Sequence, residues 1–100
     1  MRVLFTASAE RQIEQFFDYI AHQSSESTAE LYIRRVVRHC EQLQHSPERG
    51  ARRDDILQGL RTIGFERRIT IAFMICEDAV LIEGIFYGGR DFETILRPLP

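Results

Sequence analysis

The amino-acid sequence predicts a single α+β domain with the element order β-α-α-β-β-β, in which a helical hairpin packs on one face of an antiparallel sheet. Two observations support this class. In the first half, two segments repeat apolar residues about every 3.6 positions, which is typical of amphipathic helices. In the second half, three short apolar segments are separated by turn residues, which is typical of strands. With 100 residues, the chain is expected to form one domain over residues 1–100.

The first half predicts a strand followed by two helices. Residues 2–6 form a short apolar strand, and Thr6 is suited to cap the helix that follows. Ser27 and Glu30 have the spacing of a capping box and predict the start of the second helix. The short joint makes the two helices an antiparallel hairpin. The predicted inner stripes are Ala9, Ile13, Phe16, Phe17 and Ile20 in the first helix, and Ala29, Ile33, Val36, Cys40 and Leu43 in the second.

The second half predicts three strands, at residues 60–65, 67–76 and 79–87. A turn at Glu77-Asp78 joins the last two into a hairpin, and its register places apolar residues on one face throughout. This face is expected to pack on the helices, whereas the other face carries mixed side chains and is expected to stay open to solvent or to a partner. The predicted pairs are Ile75 with Val80, Phe73 with Ile82, Ile71 with Gly84, and Ile69 with Phe86.

Composition excludes several classes of protein. The apolar fraction is 44%, which argues against disorder. No run approaches the roughly 20 apolar residues of a membrane helix, and no signal-peptide pattern is present, so we expect a cytoplasmic protein without a membrane partner. The two cysteines, Cys40 and Cys76, lack the spacing of metal ligands and are expected to be buried thiols.

The positive charge is carried by arginine alone, since all 13 basic residues are arginines. Arginine is well suited to bidentate contacts with carboxylate or phosphate groups. Residues 49–68 hold six arginines against three acidic residues, and we call this segment the arginine-rich segment. An overall pI of about 5.9 argues against a dedicated nucleic-acid binder. Two explanations of the arginine bias are open, a local cationic surface for a specific partner and GC-rich codon usage.

Arginines are the main candidates for a chemical site in this sequence. Cys40 falls on an inner helix stripe, the histidines lie at helix ends or surfaces, and no glycine-rich phosphate loop is present, so no catalytic, cofactor-binding or metal-binding residue is predicted. Arg61, Arg68 and Arg90 can converge at one side of the sheet, with Glu83 as a counter-ion. The alternative is a set of solvated charges at strand ends.

The segment after the last strand supports a site at its end. Gly88 and Gly89 lower the steric cost of a turn and release the chain from the sheet. Arg90 and Asp91 follow at once and begin a C-terminal segment. On physical grounds alone, this arrangement indicates an anion-binding site without naming its ligand.

The chain resembles the ParE branch of the RelE/ParE toxin superfamily, the toxin halves of bacterial toxin–antitoxin pairs. The resemblance runs over nearly the whole length and rests on the order and spacing of several segments. It implies the β-α-α-β-β-β fold that the apolar patterns predict independently. The segments are "AERQIEQFFDYIA" at 9–21, "GLRTI" at 59–63, "RRITIAFMI" at 67–75 and "IFYGGRD" at 85–91.

The resemblance implies one of two activities. ParE-like toxins poison DNA gyrase and are not known to catalyse a reaction, whereas RelE-like toxins cut messenger RNA on the ribosome. In some RelE-like enzymes a tyrosine lies six residues after the third arginine, and the matching residue here is Leu96. Leucine cannot transfer a proton, so the gyrase poison is favoured over the ribosome-dependent endoribonuclease. A non-toxic protein-interaction module is a further alternative.

The resemblance also implies partners and site residues. We expect a ParD-like antitoxin that folds on the toxin, DNA gyrase as the target, no cofactor, and contact with DNA only through the antitoxin or gyrase. The residues expected to serve target binding and toxicity are Arg61, Arg68, Arg90, Asp91 and Tyr87. The residues expected to bind the antitoxin are Ile13, Phe17, Arg52 and Arg53.

Overall fold

The computed structural model describes residues 1–88 and 92–96. Two helices pack on a five-stranded sheet, so the predicted α+β class is confirmed. A short 3-10 turn, Gln42–Gln44, follows the second helix. The elements are β1 (Arg2–Phe5), α1 (Ala7–Gln23), α2 (Glu26–Glu41), β2 (Ala51–Arg52), β3 (Leu60–Phe65), β4 (Ile69–Cys76), β5 (Ala79–Tyr87) and α3 (Phe92–Leu96).

The sheet is mixed, with the strand order β1-β5-β4-β3-β2. Strands β2 to β5 pair antiparallel, but β1 runs parallel to β5 from Arg2 opposite Ala79 to Phe5 opposite Ile82. The expected all-antiparallel pairing is therefore wrong at β1. The relative direction of β1 and β5 depends on how often the chain reverses between them. The two-residue strand β2, which the apolar pattern did not predict, supplies one of those reversals.

Side-chain caps set the starts of both long helices. Thr6 caps α1 as predicted, since its Oγ1 accepts a hydrogen bond from the Ala9 N–H at 3.1 Å. Ser25, rather than Ser27, caps α2, and its Oγ accepts from the Thr28 N–H at 3.1 Å. Ser25 has the extended backbone that an N-cap requires, with φ −159° and ψ 163°. Ser27 already lies in the first turn of the helix.

The main core lies between the helical hairpin and one face of the sheet. Phe73, Ile71 and Ile82 are completely buried there. Cys40 is also buried, and burial raises the pKa of its thiol to about 12, which makes it unreactive. Cys76 is exposed at the end of β4, so the expectation that both thiols are buried is wrong for Cys76.

The β4–β5 hairpin follows the predicted register only from its turn to the pair Phe73–Ile82. A β-bulge at Glu83 then adds one residue to β5, so that Ala72 lies opposite Gly84. Alternation could not reveal the bulge, because both faces of β5 are apolar beyond it. The two outer predicted pairs are therefore wrong, and the observed pairs are Ile71 with Ile85 and Ile69 with Tyr87, in place of Ile71 with Gly84 and Ile69 with Phe86.

The bulge exchanges the two faces of the last part of β5. Ile85 and Tyr87 now pack on the helical side, whereas Phe86 packs on the opposite side. Gly84 is needed beside this ring, since a Cβ at Gly84 would lie 2.5 Å from Phe86 Cε2. Phe86, which the predicted register placed on the face toward the helices, thus packs on the opposite face.

The second face of the sheet is not left open, contrary to expectation. It carries a smaller core around Leu60, Ala72 and Phe86, which are almost completely buried. The loop before β3 contributes Ile56, and the short helix α3 contributes Phe92 and, at its end, Leu96. The loop before β3 and the helix α3 therefore cover apolar residues of the face that was expected to stay open. No helix in the described ranges is long and apolar enough to cross a bilayer.

Candidate functional site

The structure does not bring Arg61 and Arg68 together. Arg61 lies near the start of β3, opposite Phe73, whereas Arg68 follows the turn after that strand. A strand advances about 3.3 Å per residue, so about 13 Å separate Arg61 from Phe65 at the strand end. The two arginines therefore lie at opposite ends of β3. We call the end with Arg68 the turn end of the sheet.

Arg68 borders the point at which the chain leaves the sheet. Its side chain is exposed, and its backbone carbonyl accepts a hydrogen bond from the Gly88 N–H at 2.7 Å. Gly88 has φ +67°, so the predicted turn glycine adopts the left-handed conformation that favours glycine. Arg90 and Asp91, which follow, lie outside the described residues.

Tyr87 lies at the same end of the sheet as Arg68 but faces the helices. Its ring packs edge-on against Phe16, with ring centroids 5.4 Å apart, and lies 6.1 Å from the ring of Tyr19. Of the three described residues predicted for toxicity, Arg68 and Tyr87 thus share the turn end, while Arg61 does not. Arg61 instead lies opposite Arg52 of β2.

Within the described part of the chain, acidic residues neutralise two of the six arginines of the arginine-rich segment, Arg52 and Arg53. Arg52 pairs with Asp54 at 3.1 Å. Arg53 pairs with Asp55 at 2.9 Å and with Glu93 of α3 at 3.0 Å. The hydrogen bonds that the Arg53 guanidinium donates to Asp55 and then to Glu93 raise its pKa above its ordinary value. Both arginines predicted to bind the antitoxin are therefore already engaged by carboxylates.

Arg53 has a structural role that the sequence did not indicate. Its side chain is only 24% exposed, and its guanidinium lies over the ring of Phe92, 5.7 Å from the centroid. Together with the ion pair to Glu93, this contact holds α3 on the second face of the sheet. The pairing joins residues 40 positions apart, so only the folded chain brings them together.

The two apolar residues predicted to bind the antitoxin differ in accessibility. Ile13 packs against the main core. Phe17 lines an open groove of about 400 Å³ between α1 and α2, which we call the hairpin groove. Two exposed arginines, Arg34 and Arg38, border this groove, and neither forms an ion pair within residues 1–88 and 92–96. Glu30 and Glu41 also line the groove, so the helices present an amphipathic surface that carries charges of both signs.

Aromatic residues crowd the turn end beneath α2. The ring of Tyr32 meets that of Phe65 edge-on, with centroids 6.4 Å apart, and Arg35 lies over it while forming an ion pair with Glu66. The Tyr32 Oη is buried and has no hydrogen-bond partner in the described part of the chain. Burial raises the pKa of this phenol, which therefore stays protonated at neutral pH. Within the same ranges, no group of three or more histidine, cysteine, aspartate and glutamate side chains is placed to hold a metal ion.

Glu83, proposed as a counter-ion, pairs with no arginine in the ranges that the structure describes. It is the extra residue of the bulge, and desolvation raises the pKa of its carboxyl group. A carboxyl group with a higher pKa in the folded than in the unfolded chain makes folding less favourable once it ionises. The ionised Glu83 carboxylate therefore lowers the free energy of unfolding at neutral pH.

Replacing this carboxylate should make the protein more stable at pH 7. The free energy of unfolding should fall as the pH rises from about 4.3, the unfolded glutamate pKa, through the raised folded value, and Glu83→Gln should remove that part of the profile. Urea denaturation between pH 4 and 7 measures the difference. Glu48→Gln, at an exposed position, should change stability by less than about 0.5 kcal/mol. A Glu83→Gln protein that is less stable than the original at pH 7 would contradict this explanation.

Comparison with known proteins shows a family and a fold. Residues 3–92 match the family model described as "ParE toxin of type II toxin-antitoxin system, parDE". Among solved structures, the chain is similar to one from "Chromosomal ParDE TA system from P. aeruginosa", with a TM-score of 0.78 and 21% sequence identity over 88% of this chain and 96% of that one. At this identity the structural match supports the fold alone. Among curated proteins, no sequence matches significantly.

Proposed function

Because this chain belongs to the ParE toxin family of type II toxin–antitoxin systems, we propose that it inhibits DNA gyrase and that a ParD-like antitoxin neutralises it. The observation that carries the proposal is the family match, which covers residues 3–92 and hence α1, α2 and all of the sheet except Arg2. The choice of gyrase as the target follows the resemblance to ParE-like toxins described above.

Two side chains support a gyrase poison over a ribosome-dependent endoribonuclease. Leu96, at the position where some RelE-like enzymes carry a tyrosine, packs against the apolar core of the second face. Tyr87, the other phenol near the end of β5, packs against Phe16 and Tyr19. A general acid or base must lie within hydrogen-bond reach of the reacting group. Neither residue offers a proton-transfer group beside Arg61.

Brief expression of the toxin tests the target. Gyrase inhibition should produce DNA-damage signalling and filamentation, and purified toxin should block supercoiling by purified gyrase. Co-expression of the antitoxin provides the control, since it should restore growth. Cleavage of translated messages with normal supercoiling activity would instead identify the endoribonuclease, and harmless expression without either effect would identify an interaction module.

We propose that the antitoxin contacts the helices through apolar anchors and the arginines through acidic residues. The hairpin groove offers Phe17 as an apolar contact and Arg34 and Arg38 as charged contacts. A disordered tail that folds on binding can cover such a surface and use apolar helix anchors. High salt should then weaken the complex only moderately, because buried apolar contact dominates its affinity.

Arg90→Ala should abolish most of the toxicity while leaving the fold and antitoxin binding intact. In the sequence Arg90 comes after the last residue of β5 and two glycines, so we expect its side chain to contribute little packing. Loss of a charge that makes no packing contact changes stability by less than about 0.5 kcal/mol. Growth assays, thermal melts and antitoxin pull-downs on the same variant separate loss of function from loss of fold.

Arg11→Ala is the matched control for this variant, because it removes an exposed arginine at the start of α1. It should leave toxicity unchanged. If Arg90→Ala stays fully toxic, or if it melts well below the original protein, Arg90 does not serve target binding as proposed.

A further inference from the structure

Strand β5 is longer than the strand that covers its outer side. The nine residues of β5 run from Ala79 to Tyr87, but β1 pairs only with Ala79 to Ile82. Within the described residues, the remaining part, Glu83 to Tyr87, therefore pairs with β4 on one side and has no strand on its outer side. Unpaired backbone groups at a strand edge form a template for another extended segment.

Side chains occupy the first two positions along this open edge. The Thr6 hydroxyl donates to the Glu83 carbonyl at 3.3 Å. The Ile85 N–H donates to Oε1 of Gln12 at 2.7 Å. Gln12 thus supplies the acceptor that the carbonyl of a neighbouring strand would otherwise supply. Hydrogen bonds to side chains therefore satisfy the outward-facing backbone groups of this edge only as far as the Ile85 N–H.

Beyond the Ile85 N–H, the outward-facing backbone groups of β5 are available to pair with another segment. In an antiparallel ladder, alternate residues direct their backbone groups to the same side. The Gly88 N–H points to Arg68 of the β4 side, and the Ile85 N–H points away from β4 to Gln12. The N–H and carbonyl of Tyr87 therefore point outward, as the Ile85 carbonyl does.

A groove of about 330 Å³ lies between this edge and α1. It is lined by uncharged side chains, and Tyr19, on its rim, is 53% exposed. Arg68, whose carbonyl accepts from the N–H of Gly88 next to the lining residue Tyr87, is exposed and forms no ion pair within the ranges described. The lining residues are Gln12, Gln15, Phe16, Tyr19, Ile85 and Tyr87.

We propose that an extended segment of the antitoxin binds in this groove and pairs with the open edge of β5, in line with β1. A helix could not use the edge, because its own backbone groups are already bonded, whereas an extended segment offers both donors and acceptors. The four residue steps from Glu83 to Tyr87 span about 13 Å, and the backbone groups left for such pairing are the Ile85 carbonyl and the N–H and carbonyl of Tyr87.

The chemistry of the groove specifies the side chains of this segment. Uncharged walls with Phe16 and Tyr19 favour apolar side chains at alternate positions that face α1. The unpaired charge of Arg68 favours an acidic residue at the end near Gly88. The inference rests on the proposed antitoxin partner, and it assigns part of that partner to the sheet edge rather than to the helices alone.

Amide hydrogen exchange on the purified toxin–antitoxin complex tests this pairing. The Tyr87 amide should exchange at least about tenfold more slowly in the complex than in the free toxin. A complex that forms while the Tyr87 amide exchanges at its free rate would overturn the inference but leave the proposed function standing. Failure of any antitoxin to bind would overturn both. Concentration-dependent protection in the toxin alone would assign the edge to a second copy of the chain and overturn the inference too.

Two matched substitutions test the groove independently. Tyr19→Arg places a bulky charge on its rim, and Leu31→Arg makes the same change at an equally exposed site on α2. Tyr19→Arg should raise the antitoxin Kd by about tenfold or more, whereas Leu31→Arg should change it by less than about threefold. Thermal melts confirm that both variants are folded. Equal effects of the two variants would contradict a specific contact at this groove.

Discussion

Truncating Phe73 to alanine should lower the free energy of unfolding by about 3–5 kcal/mol. The ring is completely buried between the sheet and the helical hairpin. Its removal loses the transfer free energy of the ring and leaves a cavity that rigid strand pairing on both sides, to Arg61 and Ile82, prevents from closing. A small domain is stable by only about 5–15 kcal/mol, so much of the population should unfold at growth temperature.

Urea denaturation of Phe73→Ala measures this loss directly, and growth assays should show that toxicity disappears with the fold. Leu31→Ala is a suitable control, because Leu31 is 57% exposed and its truncation should cost less than about 0.5 kcal/mol. A Phe73→Ala protein that unfolds at the same urea concentration as the original would show that the hairpin and the sheet pack elsewhere.

Gly50→Ala should destabilise the protein by about 2–5 kcal/mol, the sum of two separate costs. Gly50 has φ +78°, and a Cβ there would lie 2.2 Å from the backbone carbonyl oxygen of Thr62 and 2.5 Å from Cγ2 of Ile63. The left-handed conformation costs a non-glycine residue about 1–2 kcal/mol. Relieving the clash requires β3 or the chain leading into β2 to move.

Gly59→Ala separates the two costs. Gly59 has a similar φ of +85°, but its added Cβ would meet only Cε of Met74, at an ordinary contact distance of 3.5 Å. This variant should lose only the conformational part, about 1–2 kcal/mol. The difference between the urea midpoints of Gly50→Ala and Gly59→Ala then measures the cost of the close contact between Gly50 and β3. Equal losses would mean that the chain around Gly50 relaxes freely.

Local patterns in the sequence predicted features that depend on neighbours along the chain. The 3.6-residue stripes placed both helices, and Thr6 was identified as the cap of α1 because its side chain bonds to the Ala9 amide three residues later. The strand hairpin closed at the predicted turn, and its first pairs, as far as Phe73 with Ile82, were correct. The order of these segments also carried the family resemblance, which the match over residues 3–92 confirms.

The bulge at Glu83 marks the limit of this reasoning. A single added residue exchanged the faces of Phe86 and Tyr87. Tyr87, which is expected to serve toxicity, therefore packs against α1 and not on the face away from the helices. In an apolar strand both registers bury apolar side chains, and the choice between them depends on what packs on each face. The small core of the second face, built with Ile56 and α3, provides the environment that Phe86 occupies.

The candidate site depended even more on the folded chain. Composition identified arginine as the distinctive residue, but it could not show that Arg53 is held by Glu93 or that Arg61 and Arg68 lie at opposite ends of β3. The sequence alone determined the fold class, both helices and the family, because these follow from periodic patterns and their order. The tertiary structure decided which charges are neutralised and which strand edge stays open. Those features depend on contacts between residues distant in the chain, and no local pattern encodes such contacts.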